Sequence, residues 1–115
     1  MNNILIAPKE SIKRALEMMS EAGQKCLVVS ELGRLQGTLS DGDIRRAILA
    51  GSQLTDSIKN YVNENPTYLY KDQYARERLK HIFLDLRLDL IPVISESGEV
   101  IDILFWDQEL SEGEK

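Results

Sequence analysis

The sequence is poor in the residues that cross-link a chain or do chemistry. It holds one cysteine, one histidine and one tryptophan among 115 residues. A lone cysteine excludes an intramolecular disulfide, and Cys26 sits in the apolar run Cys26-Leu27-Val28-Val29, where a buried thiol is expected. His81, with Lys80 beside it, has no Cys or His partner near in sequence, so neither a zinc site nor a thiol–imidazole pair is read. No apolar run approaches the roughly 20 residues that span a bilayer. A secretory leader is also missing, because Met1-Asn2-Asn3 offers no basic start and Pro8-Lys9-Glu10 interrupts the first apolar stretch. Basic charge is short as well: 14 Lys and Arg against 19 Asp and Glu leave a net charge of -5, which argues against nucleic acid or an anionic membrane as partner. The cytoplasm is the compartment these absences leave. A hydrophobic content of 43% with 29% charged residues then places the chain among soluble globular proteins, long enough for one compact domain.

The apolar spacing predicts an α+β chain. Residues 4–7 form a short edge strand ended by Pro8. Residues 11–22 carry apolar side chains at 12, 15, 16 and 19, a helical stripe, with Gly23 as its stop. Residues 26–29 and 35–39 read as a hairpin around a turn at 30–34, and a helix follows to Ala50, closed by Gly51. Residues 52–65 are polar and read as a connector with one short helix to Tyr61, capped by Thr55 or Asp56. The pattern then restarts: a strand at 67–70, a helix at 74–86 with apolar residues at 75, 79, 82, 83 and 86, and strands at 90–94 and 100–105 around a turn at 95–99.

This restart is an internal repeat. Cys26-Leu27-Val28-Val29-Ser30-Glu31-Leu32-Gly33 matches Ile91-Pro92-Val93-Ile94-Ser95-Glu96-Ser97-Gly98 at an offset of 65, and the preceding helix matches at a slightly smaller offset. Extra residues are therefore expected before the second strand of repeat two. The boundaries are repeat one at 1–52, connector at 53–65, repeat two at 66–107, and an acidic tail or linker at 108–115. Each unit reads strand, helix, strand, strand, helix. Neither is large enough to bury a good core alone, so the expected architecture packs the two about a pseudo-two-fold axis.

The stretch Gly37-Thr38-Leu39-Ser40-Asp41-Gly42-Asp43-Ile44-Arg45-Arg46 joins a strand to a helix through a polar turn. Ser40 and Asp43 have the spacing of a capping box, with an acid in place of the usual Glu or Gln, and Gly42 keeps the backbone uncrowded. A helix start offers free N–H groups and partial positive charge, which suits a phosphate or a ribose hydroxyl; Lys25, Arg45 and Arg46 add charge. The same residues also read as an ordinary cap with a solvated arginine pair. Asp41, Asp43 and Asp107 suit Mg²⁺ only when a nucleotide brings phosphate oxygens. Phe105 and Trp106 read as core or as an apolar patch for a partner.

The tandem β-α-β-β-α pattern, the Gly33 turn, the Gly37–Asp43 motif and the Ile91-Pro92-Val93-Ile94 strand resemble a CBS domain pair, or Bateman module, from about Ile4 to Asp107. The resemblance implies a regulatory, non-catalytic module that binds an adenosine-type nucleotide (AMP, ADP or ATP) between its repeats, holds no tightly bound cofactor, and takes Mg²⁺ only with the nucleotide. It implies that Ser40 faces the phosphate, that Asp43 accepts from the ribose hydroxyls, and that Lys25 binds phosphate, with Thr38, Gly42 and Arg45 on the same side. Val62, Thr67, Leu88 and Pro92 map to the base pocket. Repeat two departs from the motif: Asp102 stands for the glycine, Phe105 for the serine and Gln108 for the final aspartate, so one nucleotide site per chain is expected. The form of residues 37–51 is similar to the N-terminal CBS pair of bacterial sugar-phosphate nucleotidyltransferases, with the start at Met1 favouring that placement over the related sugar-phosphate isomerases. A homodimer through the helices and a covalently attached catalytic domain follow from the same resemblance. The alternative is a dimerisation module that binds no nucleotide.

Overall fold

Two three-stranded sheets, each with one crossover helix, are seen in the computed structural model, which describes residues 1–108. The first compact unit is Met1–Pro66 and the second begins at Thr67. Residues 53–65, read above as a connector, thus fall within the first unit.

In unit 1, β1 (Leu5–Ile6) pairs parallel with β2 (Cys26–Glu31), and β2 pairs antiparallel with β3 (Arg34–Ser40). The crossover between β1 and β2 is α1 (Ile12–Ala22), and α2 (Asp41–Leu49) follows β3 without a gap. The β2–β3 turn tightens to two residues, because Leu32 (φ 53) and Gly33 (φ 83) both take left-handed backbone, the geometry that matches strand twist. Gly23, also left-handed, ends α1 as expected. The core stripe of α1 differs from the expected one. Met18 is buried, whereas Leu16 lies 37% exposed.

The segment after α2 closes unit 1. The first N–H groups of α1, which no helix can satisfy internally, donate to it: Ile12 N–H to the Asp56 carbonyl at 2.9 Å and Lys13 N–H to the Leu54 carbonyl at 2.9 Å. Ser11 Oγ accepts from Arg14 N–H at 3.0 Å. A 3-10 turn at Ile58–Tyr61 is capped by Ser57 rather than by Thr55 or Asp56. Ser57 Oγ donates to the Pro8 carbonyl at 2.8 Å, so its place in the turn is set by the β1–α1 loop. Ile58 is fully buried.

In unit 2, β4 (Leu69–Tyr70) pairs parallel with β5 (Leu90–Ile94), which pairs antiparallel with β6 (Val100–Phe105); α3 (Arg76–Leu86) is the crossover. Its core is Leu79, Phe83, Ile91, Val93 and Leu104, with Trp106 packed against it 5.7 Å from the Phe83 ring. Trp106 is therefore largely core. Residues 106–108 are helical, and the rest of the expected tail lies outside the described residues.

The strand registers correct the repeat alignment. Val29 faces Gly37 across the first hairpin and Val93 faces Asp102 across the second, so the offset is 64 on the first strand and 65 on the second. The helices also differ by 64, from Ile12–Ala22 to Arg76–Leu86. Repeat two therefore carries one extra residue in its hairpin turn, and another between β4 and α3, before its second strand as expected, because Ile6 faces Val29 whereas Leu69 faces Val93. Matching Gly33 to Gly98 aligned the turns at the expense of the strands. The correct offset extends to single hydrogen bonds: Asp41 N–H donates to the Lys25 carbonyl at 2.9 Å, and Trp106 N–H to the Asp89 carbonyl at 3.0 Å.

The helix starts are not equivalent. Ser11 caps α1, but Ala75 stands at the start of α3 with extended backbone and no side-chain acceptor, so α3 begins at Arg76 and not at Tyr74. Ala75→Ser is expected to supply that acceptor and stabilise the chain by about 1 kcal/mol, read as a rise of several degrees in calorimetric melting temperature; an unchanged melt would mean that α3 frays at this end regardless of its cap.

Candidate functional site

The β3–α2 junction gathers a reciprocal cap and two ion pairs within seven residues of unit 1. Its geometry follows from a strand that ends where a helix must start. Ser40 has extended backbone and caps α2: its Oγ accepts from Asp43 N–H at 3.1 Å, while Asp43 Oδ2 accepts from Ser40 N–H at 2.9 Å. This reciprocal pair is the capping box the spacing predicts. The other Asp43 oxygen, Oδ1, accepts from Arg46 Nη2 at 2.6 Å, and Asp41 Oδ2 accepts from Arg45 Nη2 at 3.1 Å. The Asp43 side chain is 21% exposed, against 72% for Arg46. A half-buried carboxylate thus looks outward through one oxygen, beneath a guanidinium held mainly by that contact.

Lys25 joins this group through its backbone, whose carbonyl receives Asp41 N–H, and its side chain is exposed. No ion pair forms at Lys25 among the described residues. Thr38 sits two residues before the cap, half-buried, with its backbone paired to Asn63: Thr38 N–H to the Asn63 carbonyl at 3.1 Å, and Asn63 N–H to the Thr38 carbonyl at 2.8 Å. This strap also explains Gly37. A Cβ there would overlap the Asn63 carbonyl oxygen and lie 2.6 Å from Val62 Cγ1. The structure thus brings Lys25, Thr38, Ser40, Gly42 and Asp43 together, with Arg45 on the exposed helix face and Val62 close to Gly37.

The three remaining expected residues lie in unit 2. Thr67 is half-buried, and Leu88 is half-buried against the unit 2 core. Pro92 is fully buried in the middle of β5, so its ring presents no surface to a ligand. Sequence reasoning passed over Asn63 and gave Arg45 precedence over Arg46. A glycine inside a strand marks close backbone approach and was the available signal for the strap.

A cleft of about 400 Å³ in unit 1 is lined by Pro8, Val29, Glu31, Gln36, Lys59, Val62 and Glu64. It shares Val62 with the expected set but none of the motif's hydroxyls or carboxylates. In unit 2 the position of Ser40 is taken by Phe105, which faces Leu90 as Ser40 faces Cys26. At the same offset Gln108 replaces Asp43 and Asp107 replaces Gly42, so the reciprocal cap is lost, and Asp107 Oδ1 accepts the Gln108 N–H at 2.9 Å instead. Tyr68 and Tyr70 meet edge to face, with ring centroids 5.6 Å apart. The Tyr70 phenol is raised above its ordinary value, first by the hydrogen bond with Tyr68 and then by charge interaction with it. Among the described residues no three His, Cys, Asp or Glu side chains group to hold a metal ion, and no helix is long and apolar enough to cross a membrane.

Residues 1–50 match the family model of the CBS domain. A Helicobacter pylori protein without an assigned function is 34% identical over 114 residues, which cover 96% of this chain and 34% of that protein. A probable arabinose 5-phosphate isomerase of Haemophilus influenzae is 23% identical over 101 residues, covering 86% of this chain and 30% of that protein. The chain thus spans about a third of the length of the curated relatives it matches. Among solved structures, a CBS domain protein superposes with a TM-score of 0.84 at 20% identity, over 97% of this chain and 87% of that one. The Arabidopsis thaliana CBS-pair protein CBSX2, in complex with AMP, superposes with a TM-score of 0.79 at 20% identity, over 95% and 85% of the two chains. The fold is therefore that of CBS pairs, and the part of the chain that matches the CBS family model contains the whole β3–α2 junction.

Proposed function

We propose that this chain is a regulatory CBS pair that binds one adenosine nucleotide and biases a catalytic domain in the same polypeptide. The observation that carries this reading is the reciprocal Ser40–Asp43 cap, which leaves an outward-facing carboxylate oxygen at the start of α2. An ionised carboxylate only accepts hydrogen bonds, which suits the vicinal diol of a ribose. Ser40 and the Lys25 ammonium then serve the phosphate, with Thr38, Gly42 and Arg45 flanking, and Val62 offers an apolar side chain to the base. AMP in the structure of CBSX2, a protein of the same fold, supports the ligand class. Mg²⁺ enters only as the counter-ion of a nucleotide. The Phe105 substitution supports a single site per chain. Regulation follows by linkage, since a ligand shifts an enzyme only by its differential affinity for two states.

The attached domain acts on a sugar phosphate in the cytoplasm. The form of residues 37–51 favours a sugar-phosphate nucleotidyltransferase, and the likeness to an arabinose 5-phosphate isomerase favours the second reading, a sugar-phosphate isomerase. Exposed Ile48 and Leu49 on α2 support a homodimer formed through the helices.

A thermal melt of the chain against AMP, ADP, ATP, GTP, CTP and a nucleotide sugar, with and without Mg²⁺, tests the proposal. A ligand at about 100 times its dissociation constant adds about 2.7 kcal/mol, a shift of about 10 °C for a domain of this size. Asp43→Ala is expected to abolish the adenosine-nucleotide shift while lowering the unliganded stability by about 1 kcal/mol through loss of the cap acceptor. A stable dimer that responds to no nucleotide would instead establish an assembly role.

A further inference from the structure

We infer that Arg46, rather than Arg45, is the residue that lets this site distinguish a nucleotide from its nucleoside, by exchanging the Asp43 carboxylate for a ligand phosphate. The inference rests on the nucleotide reading above and deepens it. Its basis is the unequal placement of two adjacent arginines. Arg45 reaches back one turn to Asp41 on the exposed helix face. Arg46 instead folds over the first turn of α2. Its Nη2 is 2.6 Å from Asp43 Oδ1, and its Nη1 lies only 3.4 Å from where a Cβ on Gly42 would be. The guanidinium thus lies on the side of Gly42 where a side chain would stand, in space that the missing Cβ leaves open.

The consequence is competition at one atom. Asp43 Oδ2 is committed to Ser40 N–H, so Oδ1 is the outward oxygen, and Arg46 holds it. A ribose diol that takes Oδ1 must share it with Arg46 or displace it. The guanidinium is 72% exposed and its ion pair is a weak surface pair, so release costs little. A guanidinium resting over the Gly42 backbone is also placed to meet an anion held at the cap, and its fork suits phosphate oxygens in two-point contact. A nucleoside therefore displaces the cation for no return, whereas a nucleotide re-engages it. Arg46 penalises the uncharged ligand and rewards the charged one.

The test is isothermal titration of wild type, Arg46→Gln and Arg46→Lys with adenosine and with AMP, each variant first shown by its melt to be folded. In Arg46→Gln, adenosine should bind up to about fivefold tighter, the counterpart of losing a surface ion pair. AMP should bind about tenfold weaker, the counterpart of losing a charged hydrogen bond. Arg46→Lys should fall between, keeping charge without the fork. An AMP-to-adenosine preference that stays at the wild-type ratio in Arg46→Gln overturns the Arg46 role and leaves the nucleotide site standing. A wild-type chain that binds neither ligand overturns the nucleotide reading and the Arg46 role with it.

Discussion

Gly37→Ala is expected to destabilise unit 1 by about 2–3 kcal/mol and lower its melting temperature by about 10 °C, because the added methyl meets backbone that cannot swing aside. The Cβ would overlap the Asn63 carbonyl oxygen and sit 3.0 Å from its carbon. That carbonyl is pinned by its hydrogen bond from Thr38, and the return bond from Asn63 pins the other side. Unit 2 shows that the requirement belongs to the strap and not to the hairpin. At the equivalent register position stands Asp102, exposed, and its Oδ1 accepts the Ile103 N–H at 2.8 Å. Ile103 corresponds to Thr38, so the Asp102 carboxylate satisfies the edge amide that Asn63 satisfies in unit 1. A charged residue on an edge strand also discourages unwanted strand pairing. Amide exchange gives a second readout: Thr38 and Asn63 should lose protection together in Gly37→Ala. A melt within 1 °C of wild type would mean that the strap does not rest on β3.

Gly37 also marks the boundary of what the sequence makes legible. The helices and strands follow local periodicity, and Ser40 with Asp43 announce their cap through spacing alone, so the β3–α2 junction is legible in the order of its residues. The repeat is legible as well, but its register is not. A match of Gly33 to Gly98 dominates an alignment of short apolar strands, whereas strand pairing is decided by backbone hydrogen bonds that any residue can make, and these place one extra residue in the turn and another before α3. The strap at Asn63 is hidden for the same reason, being held by main-chain atoms. On α1, Leu16 and Met18 lie on either side of one stripe, and helical spacing does not decide which is covered; the packing of the unit buries Met18. The choice of Arg46 over Arg45 depends on which side of α2 faces the cap, a matter of one residue at about 100° per step. Local signals thus locate the site, and tertiary contacts decide which side chains serve it.

The segment after α2 is the clearest case, and Ile58→Ala tests it. If residues 53–65 were a tether, trimming one side chain there would cost no more than about 0.5 kcal/mol, the usual range for surface changes. Ile58 is instead fully buried, and its N–H donates to the Glu10 carbonyl at 2.9 Å. Ile58→Ala is therefore expected to cost about 3 kcal/mol in urea unfolding, within the range for removing a buried isoleucine side chain. The damage should spread in a defined direction. The carbonyls of Leu54 and Asp56 that receive the first α1 amides lie on the same segment, so Ile12 and Lys13 should exchange faster while the unit 2 amides keep their protection. A few residues further on, the same segment carries Val62 to Gly37 and Asn63 to Thr38. Loosening Ile58 thus loosens the wall of the motif without touching Ser40 or Asp43, and nucleotide affinity should fall although every polar ligand group remains. A variant that loses stability but keeps wild-type affinity would show that the cap alone, and not the strap beside it, makes the site.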